Sequence, residues 1–254
     1  MTEDGGGRRP TKAEAGAETR ASLLEAGAML LREQPVGGDV LTQVKARQVA
    51  QRAGRTIGAF YHHWATQEAY QRELLAYVLD PSRIPSTAEA VAAIAAGFRH
   101  GVSPAEMIRL AARENFESVR ADPYVPLWFA LWAKQGEDQQ VQTLLHDHYD
   151  AVTTQLLPVY EALFEAFGRA PRAPFTTEMF AVAVTALNQG LALRIAVEPD
   201  AVPLDLPAPP AVAVASDDPH SRGGWDLFSA LVVTLLHAMT AETPSPDAGG
   251  RSEA

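Results

Sequence analysis

Two short helical patterns meet at a glycine, and this junction constrains the fold more than any other part of the chain. Residues 45–53 and 56–62 each carry apolar residues at helical spacing, and Gly54 separates them. Glycine accepts the left-handed backbone that a tight turn requires, and Thr56 is a suitable N-cap for the second helix. The segment therefore predicts a helix-turn-helix, whose second helix has the size that enters a DNA major groove.

The rest of the chain has the pattern of an all-α protein. Alternating Val, Ile and Thr are scarce, whereas Ala, Leu, Glu, Gln and Arg recur at helical spacing. Further helices are predicted at 13–33, 67–79, 87–99, 104–121, 125–136, 138–167, 175–197 and 225–239. Pro158 is expected to kink or split the helix at 138–167, because an interior proline loses a hydrogen bond and clashes with the preceding turn.

These helices predict two domains, with a polar tail at each end of the chain. A helix-turn-helix domain of three helices is expected at 13–80 and a larger helical domain at 81–242. The larger domain contains a proline-rich loop at 198–223, which reads as extended chain. Residues 1–12 and 243–254 are expected to be disordered tails.

Charge is distributed unevenly along the chain. The net charge is −10, yet residues 1–80 hold ten basic and ten acidic residues, so the whole excess of acid lies after residue 80. No acidic residue occurs between Asp39 and Glu68, a window that contains Lys45, Arg47 and Arg55. A local cationic face on an acidic protein is suited to phosphate contact.

Composition argues against several other classes of protein. The absence of cysteine excludes disulfides and thiolate metal sites and fits a reducing cytoplasm. No apolar run reaches the length of a membrane span, and the N-terminus has no signal-peptide core. A phosphate-binding glycine loop and the H-E-x-x-H and G-x-S-x-G motifs are missing, so neither an enzyme nor a cofactor is expected.

The N-terminal motif resembles that of the TetR family of dimeric transcriptional repressors. The similarity spans Ala15 to Leu79 and is most specific over residues 45–75. The matching residues are Val49-Ala50, Ala53-Gly54, Thr56, Gly58-Ala59-Phe60-Tyr61, His63-Trp64 and Gln67-Glu68-Ala69-Tyr70. The resemblance implies an all-α fold in which an N-terminal helix-turn-helix domain precedes a larger domain for ligand binding and dimerisation.

The resemblance also implies roles for residues of the helix-turn-helix and its flanks. Arg47 and Thr56 would contact DNA backbone or bases, and Tyr61 and His63 would contact phosphates. Phe60 and Trp64 would anchor the helix in the core. The DNA-binding residues expected from the motif and the cationic window together are Lys45, Arg47, Arg55, Thr56, Ile57, Gly58, Tyr61, His62, His63 and Gln67.

Three positions depart from the family pattern. Arg55 replaces a residue that is usually apolar, and its guanidinium could read guanine O6 and N7. Ile57 replaces a usually polar or basic residue. Gln67 replaces the lysine that commonly opens the next helix, which removes one ionic phosphate contact and lowers the salt dependence of binding by about one counterion.

In such a protein the C-terminal domain binds a small molecule. Aromatic residues with a few polar groups are the common lining of such a site. The candidates for this chain are Phe116, Tyr124, Trp128, Phe129, Trp132, His148, Tyr149, Asn188 and Gln189. For any one aromatic residue, membership of the core is an equally simple explanation. His146 and His148 are a poor metal site, because side chains at i and i+2 diverge on a helix.

The helix at 175–197 is apolar almost all round, which indicates burial on more than one side. Phe180, Val184, Leu187 and Leu191 are expected to face the subunit core, whereas Ala183, Ala186 and Gly190 would let a partner helix approach. Together with the helix at 225–239, it would form a four-helix bundle in a homodimer.

These features predict a cytoplasmic, homodimeric regulator of transcription, most simply a repressor. It would leave a palindromic DNA operator when a small hydrophobic molecule binds, and no membrane partner is expected. The alternative is a helical ligand-binding dimer that has lost DNA binding, which the changes at Ile57 and Gln67 make worth testing.

Overall fold

A computed structural model describes residues 11–33, 44–80, 92, 95–97, 99–122, 124–134, 136, 138–213 and 224–243. The predicted helix at 87–99 falls largely outside these residues. Helices occur in the order α1 (Lys12–Glu33), α2 (Ala46–Arg52), α3 (Ile57–His63), α4 (Gln67–Val78), α5 (Pro104–Ala121), α6 (Val125–Lys134), α7 (Gln139–Ala166), α8 (Thr177–Val197), α9 (Pro210–Ala213) and α10 (Leu227–Met239). Strands β1 (Arg169–Pro171) and β2 (Thr240–Glu242) and a 3₁₀ turn at Pro199–Ala201 complete the described elements.

The described chain divides into two compact units. The first takes the residues up to Asp80 together with Pro126–His148, and the second takes Pro81–Val125 and Tyr149 onwards. Helices α1 to α4 belong to the first unit, where α1 packs against α2, α3 and α4. Helices α5, α8 and α10 pack against one another in the second unit.

A close approach between α1 and α4 defines the core of the first unit. The buried Tyr70 hydroxyl donates a hydrogen bond to the carbonyl oxygen of Leu23 over 2.9 Å. A Cβ atom added to Gly27 would lie 1.8 Å from that hydroxyl oxygen. Glycine at position 27 therefore provides the space that the ring occupies between the two helices.

The predicted helix-turn-helix is confirmed in its local geometry. Helix α2 ends at Arg52, and Gly54 has a φ of 64°, the left-handed conformation expected at the turn. The Thr56 side chain accepts a hydrogen bond from the Ala59 backbone N–H, so it caps α3 as predicted. Phe60 and Trp64 are buried one turn apart and hold α3 in the core.

Helix α6 and the first part of α7 add a second layer to the first unit. His148 is buried, and its Nδ1 lies 2.9 Å from the carbonyl oxygen of Leu79, the residue after the last turn of α4. The Trp128 ring packs on the imidazole with a centroid separation of 4.2 Å. These contacts join α6, α7 and the end of α4.

The second unit has a larger apolar core. Phe180, Val184, Ala192 and Ile195 form the buried stripe of α8, and they belong to the same cluster as Phe228 and the other buried residues of α10. Helix α10 packs against α5, and their rings Phe116 and Phe228 stack at 5.6 Å. The apolar period of these helices thus accounts for the core.

Polar links close the loop after α8. Leu206 and Trp225 form an antiparallel bridge, so a residue within the proline-rich loop pairs with one just beyond its C-terminal end. The Gly224 carbonyl accepts hydrogen bonds from Arg109 Nη1 at 3.2 Å and from Arg113 Nη1 at 3.4 Å. The described part of this loop is therefore not simply extended chain, because it contains a 3₁₀ turn, helix α9 and the bridge.

Two further features differ from the sequence prediction. Helix α7 is not split at Pro158: it is assigned as one helix of 28 residues with Pro158 inside it. Thr154, whose carbonyl loses its helical partner at Pro158, is an exposed residue, as is Pro158 itself. Strands β1 and β2, which were not predicted, pair antiparallel with Arg169 opposite Glu242.

One helix among the described residues, Thr177–Val197, is long and apolar enough to cross a membrane by length and composition alone. One third (33%) of its most apolar window is buried inside the protein. The buried stripe of this helix belongs to the core of the second unit. Packing therefore explains the apolar residues on that face of the helix.

Candidate functional site

The outer face of α3 is available for contact, whereas the inner face is buried. Thr56, Ile57, Gly58, Tyr61 and His62 are exposed, and His63 is partly buried. The separation follows from the helical period, because the buried Phe60 and Trp64 lie one turn apart on the other side. The structure thus brings together six of the predicted DNA-binding residues on or beside one short helix.

Basic residues border this face. Lys45, Arg47 and Arg55 are exposed, and within the described residues none of the three makes an ion pair. Arg52 differs, because its guanidinium donates to both carboxylate oxygens of Glu33 over 2.5 and 2.6 Å. The cationic window of the sequence therefore contains three unpaired charges and one neutralised charge.

A network fixes the end of α3. The Trp64 indole Nε1 donates to Glu73 Oε2 over 2.7 Å, and Arg20 Nη2 donates to the same oxygen over 2.6 Å. The Arg20 guanidinium also lies 5.8 Å from the centre of the Trp64 ring. Sequence reasoning missed Glu73, whose role depends on three helices that are distant along the chain.

His63 is next to this network, and its environment disfavours the imidazolium form. Burial has the largest effect, followed by the charges of His62 and Arg20, and together they lower the pKa of His63 below its usual range.

Gln67 has a structural contact at the position where the family pattern has lysine. Its side-chain Oε1 accepts a hydrogen bond from the Ala46 backbone N–H over 3.4 Å, at the first residue of α2. The amide thus links the start of α4 to the start of α2, and the family's lysine charge is absent at this place.

The predicted effector residues divide between the two units. Trp128, Phe129, Trp132 and His148 are in the first unit. Trp128 is partly buried against His148, whereas Trp132, one turn later, is 47% exposed. Burial lowers the pKa of His148, and the hydrogen bond to Leu79 opposes this effect only in part.

The second unit contains the other effector candidates. Phe116 is fully buried against Phe228, so in this structure it is a core residue and does not line an accessible pocket. The Tyr149 hydroxyl donates to Gln189 Oε1 over 3.1 Å, and the Asn188 amide donates to Asn115 Oδ1. Tyr124 is partly buried at the start of α6.

Asn188 is the most unusual of these residues because it is a buried amide on an apolar stripe. It is 4% exposed, and among the described residues its Oδ1 atom has no hydrogen-bond partner. A buried acceptor without a donor has an energetic cost. Asn115, its partner on α5, was not identified from the sequence, since an exposed Asn on a helix carries no distinct signal.

A shallow groove of about 340 Å³ lies beside the two strands of the second unit. Its lining includes Glu161, Glu165, Arg169, Thr177 and Thr243. None of the predicted effector residues lines it. Arg169 is already used within the fold, because it donates to the side chain and the carbonyl of Thr240 over 2.7 and 2.9 Å.

Comparison with known proteins supports the regulator fold. Residues 104–208 match the family described as the C-terminal domain of BetI-type transcriptional repressors. A TetR-family transcriptional regulator from Rhodococcus sp. superimposes with a TM-score of 0.52 at 16% identity, over 89% of this chain and 100% of that one. No curated protein matches the sequence.

Escherichia coli NemR in its reduced form gives a similar result. It has a TM-score of 0.52 at 13% identity, over 89% of this chain and 100% of that one. Identities this low establish the fold alone, and the family match adds the class of the C-terminal domain. The chain thus has the fold of TetR-family transcriptional regulators, and its residues 104–208 match the C-terminal domain of BetI-type transcriptional repressors.

Proposed function

We propose that the protein is a homodimeric transcriptional repressor that binds a palindromic DNA operator through α3 and is released by a small hydrophobic effector. The observation that carries the proposal is the capped helix α3 with an exposed outer face, together with Lys45, Arg47 and Arg55, which have no ion-pair partner among the described residues. A helix of this kind has the dimensions of the major groove, and cations at its border can bind phosphates.

The proposed contacts have different chemistry. Arg47 and Lys45 would bind phosphates, and Arg55 would contact either a phosphate or a guanine edge. Tyr61 would donate its hydroxyl to the DNA backbone. Thr56 is the N-cap of α3, so its hydroxyl oxygen is occupied in the fold while the O–H remains a donor.

A second copy of the chain would cover the outer face of α8. Met179, Val182, Leu193 and Val197 are between 41% and 74% exposed, and they follow a helical period. The exposed Ala186 and Gly190 lie between them on this face. Such a long apolar stripe on a regulator of this family is best explained by an isologous dimer contact, to which α10 would contribute Leu231.

The effector proposal relies on two groups of residues. In the first unit, the partly or largely exposed rings of Trp128, Phe129 and Trp132 offer apolar surface. As a separate candidate in the second unit, the amides of Asn188 and Gln189 offer hydrogen bonds. Effector binding would favour a state with lower DNA affinity, for which a difference of a few kcal/mol suffices. A cytoplasmic location follows from this role.

A mobility-shift assay with duplexes selected by the full-length protein from a random pool tests the proposal. Selection should return a palindrome. Tyr61→Ala and Arg47→Ala should weaken binding of that palindrome, and Arg47→Ala should also make the salt dependence shallower by about one ion per half-site. The matched control is Arg120→Ala, because Arg120 pairs with Glu117 on α5.

Failure to enrich any duplex, with a folded dimer by light scattering, would contradict the repressor assignment. That outcome would favour the alternative of a ligand-binding dimer without DNA binding. Enrichment of a duplex whose binding is unaffected by both α3 variants would instead move the interface to another surface.

A further inference from the structure

Two large apolar side chains occupy the exposed face of α3. Ile57 is 44% exposed and Tyr61 is 51% exposed, and they are one turn apart on the same side of the helix. No acidic residue occurs in the described stretch from Val44 to Gln67. A face that combines exposed apolar surface with cations at its border is unlike an ordinary solvated helix surface.

A single exposed apolar residue needs no explanation by itself. The position of Ile57, however, is specific, because it is the first residue of α3 and directly follows the N-cap Thr56. In helix-turn-helix proteins the N-terminal residues of the second helix are those that reach base edges. Solvation alone would favour a polar residue at this place.

The helix surface next to Ile57 is open at Gly58. A Cβ atom added to the neighbouring Gly58 would meet Thr56 Oγ1 at 3.7 Å, and among the described residues no other atom outside the helix backbone and the adjacent residues lies within 4 Å. A β-branched side chain is also restricted at χ1, so Ile57 presents its methyl groups in few orientations. The helix therefore offers a fixed apolar surface at its approachable end.

An isoleucine side chain has neither a hydrogen-bond donor nor an acceptor. The apolar group that the major groove displays on unmodified DNA is the C5-methyl of thymine. On the basis of the proposed DNA binding, we propose that Ile57 is a specificity-determining residue that packs against a thymine methyl in each operator half-site. Arg55 and Tyr61 provide the polar contacts around it.

The test replaces single thymines in the selected palindrome by deoxyuridine, which removes one methyl and preserves base pairing. At one position per half-site, the full-length protein should bind the uracil duplex about fourfold more weakly, as expected for one methyl lost from an apolar contact. Ile57→Ala should bind the thymine and uracil duplexes at that position equally. Ile57→Val, which keeps a branched side chain, should retain most of the discrimination.

Leu110→Ala is the matched control, because Leu110 is a 50% exposed apolar residue on α5 of the other unit. It should preserve the thymine preference of the unmodified chain. Circular dichroism would verify that each variant is folded. We expect the Ile57 variants to fold, because the Ile57 side chain is exposed and its replacement leaves no cavity in the core.

The outcomes separate this inference from the proposed function. A protein that selects a palindrome but tolerates uracil at every thymine would overturn the role of Ile57 and leave the repressor proposal intact. The same holds if Ile57→Ala keeps the full thymine preference, because another residue then reads the methyl. A protein that selects no duplex would contradict the proposed function itself.

Discussion

The carboxylate of Glu73 serves two donors at once in the first unit. Its Oε2 atom accepts from the buried Trp64 indole and from the Arg20 guanidinium, so one oxygen connects α4 with α1 and with the end of α3. The sequence identified Trp64 as an anchor through its spacing from Phe60. It gave no indication of Glu73, since the partners are 9 and 53 residues away along the chain.

Removing this acceptor should destabilise the first unit. Glu73→Ala leaves the indole N–H of Trp64 without its partner in a buried position, so we expect the free energy of unfolding to fall by about 1–3 kcal/mol. Urea denaturation followed by tryptophan fluorescence measures the change. Glu33→Ala, which breaks only the exposed pair with Arg52, should leave the urea midpoint nearly unchanged. Equal effects of the two substitutions would argue against a special role for Glu73.

His148 should make stability depend on pH. Its pKa is lowered in the folded protein, mainly by burial, whereas an unfolded histidine has a pKa of about 6.5. As pH falls below about 6.5, His148 is protonated in the unfolded chain but stays neutral in the folded chain. The free energy of unfolding that His148 contributes is therefore complete above that pH and declines below it.

Urea midpoints at pH 7.5 and pH 5.5 measure this effect. His148→Gln should lose less stability between the two values than the unmodified chain does. His146→Gln is the control, since His146 is exposed on the same helix two residues earlier. A His148→Gln variant with the full acid sensitivity of the unmodified chain would show that the loss arises from other groups.

At the scale of elements, the sequence predicts helices that depend on nearby caps and turns more accurately than strands that depend on long-range pairing. Helix α3 was predicted at 56–62 and found at Ile57–His63, because Thr56 supplies a cap and Gly54 a turn within the segment itself. Strands β1 and β2 were missed, since each has three residues, too few for an alternating pattern, and their pairing joins positions about 70 residues apart. Helix α7 continues through Pro158, which the local proline signal alone did not predict.

Thr56, the N-cap of α3, should contribute to stability mainly through its hydroxyl oxygen. Thr56→Ala removes the acceptor for the Ala59 N–H and should reduce the free energy of unfolding by about 1 kcal/mol. Thr56→Ser keeps a hydroxyl and should be close to neutral. Chemical denaturation of both variants provides the measurement. If Thr56→Ser were as unstable as Thr56→Ala, the methyl group rather than the cap would be responsible.

At the scale of the whole molecule, the sequence predicts the all-α fold and a division into two parts more readily than it predicts which residues belong to each compact unit. Residues 126–148 group with the first unit, although they follow the domain boundary predicted at residue 80. Helical periodicity indicates that a face is buried but does not identify the helix that covers it. The effector residues were chosen by the same kind of signal, and the structure accordingly assigns them to both units.

The outer face of α8 predicts the behaviour of the whole molecule in solution. Ala186→Glu and Leu231→Glu should each convert a dimer into monomers by light scattering, because a buried carboxylate without a partner is strongly unfavourable at an apolar contact. Ala111→Glu places the same charge on an exposed position of α5 and should leave the dimer intact. An unmodified chain that is monomeric at micromolar concentration would contradict the dimeric repressor.

The contact between Gly27 and Tyr70 restricts the order in which this protein can evolve. Alanine at position 27 meets the Tyr70 hydroxyl oxygen at 1.8 Å, so it is excluded while the tyrosine keeps its position. Phenylalanine at position 70 removes that oxygen and leaves the ring carbon at 3.0 Å as the closest contact on that side chain. Replacing Tyr70 by phenylalanine first therefore removes the most severe overlap and gives up the hydrogen bond to Leu23, whereas alanine at 27 introduced first forces the tyrosine to shift. In either order the Leu74 side chain, 3.1 Å from the added Cβ, must also adjust.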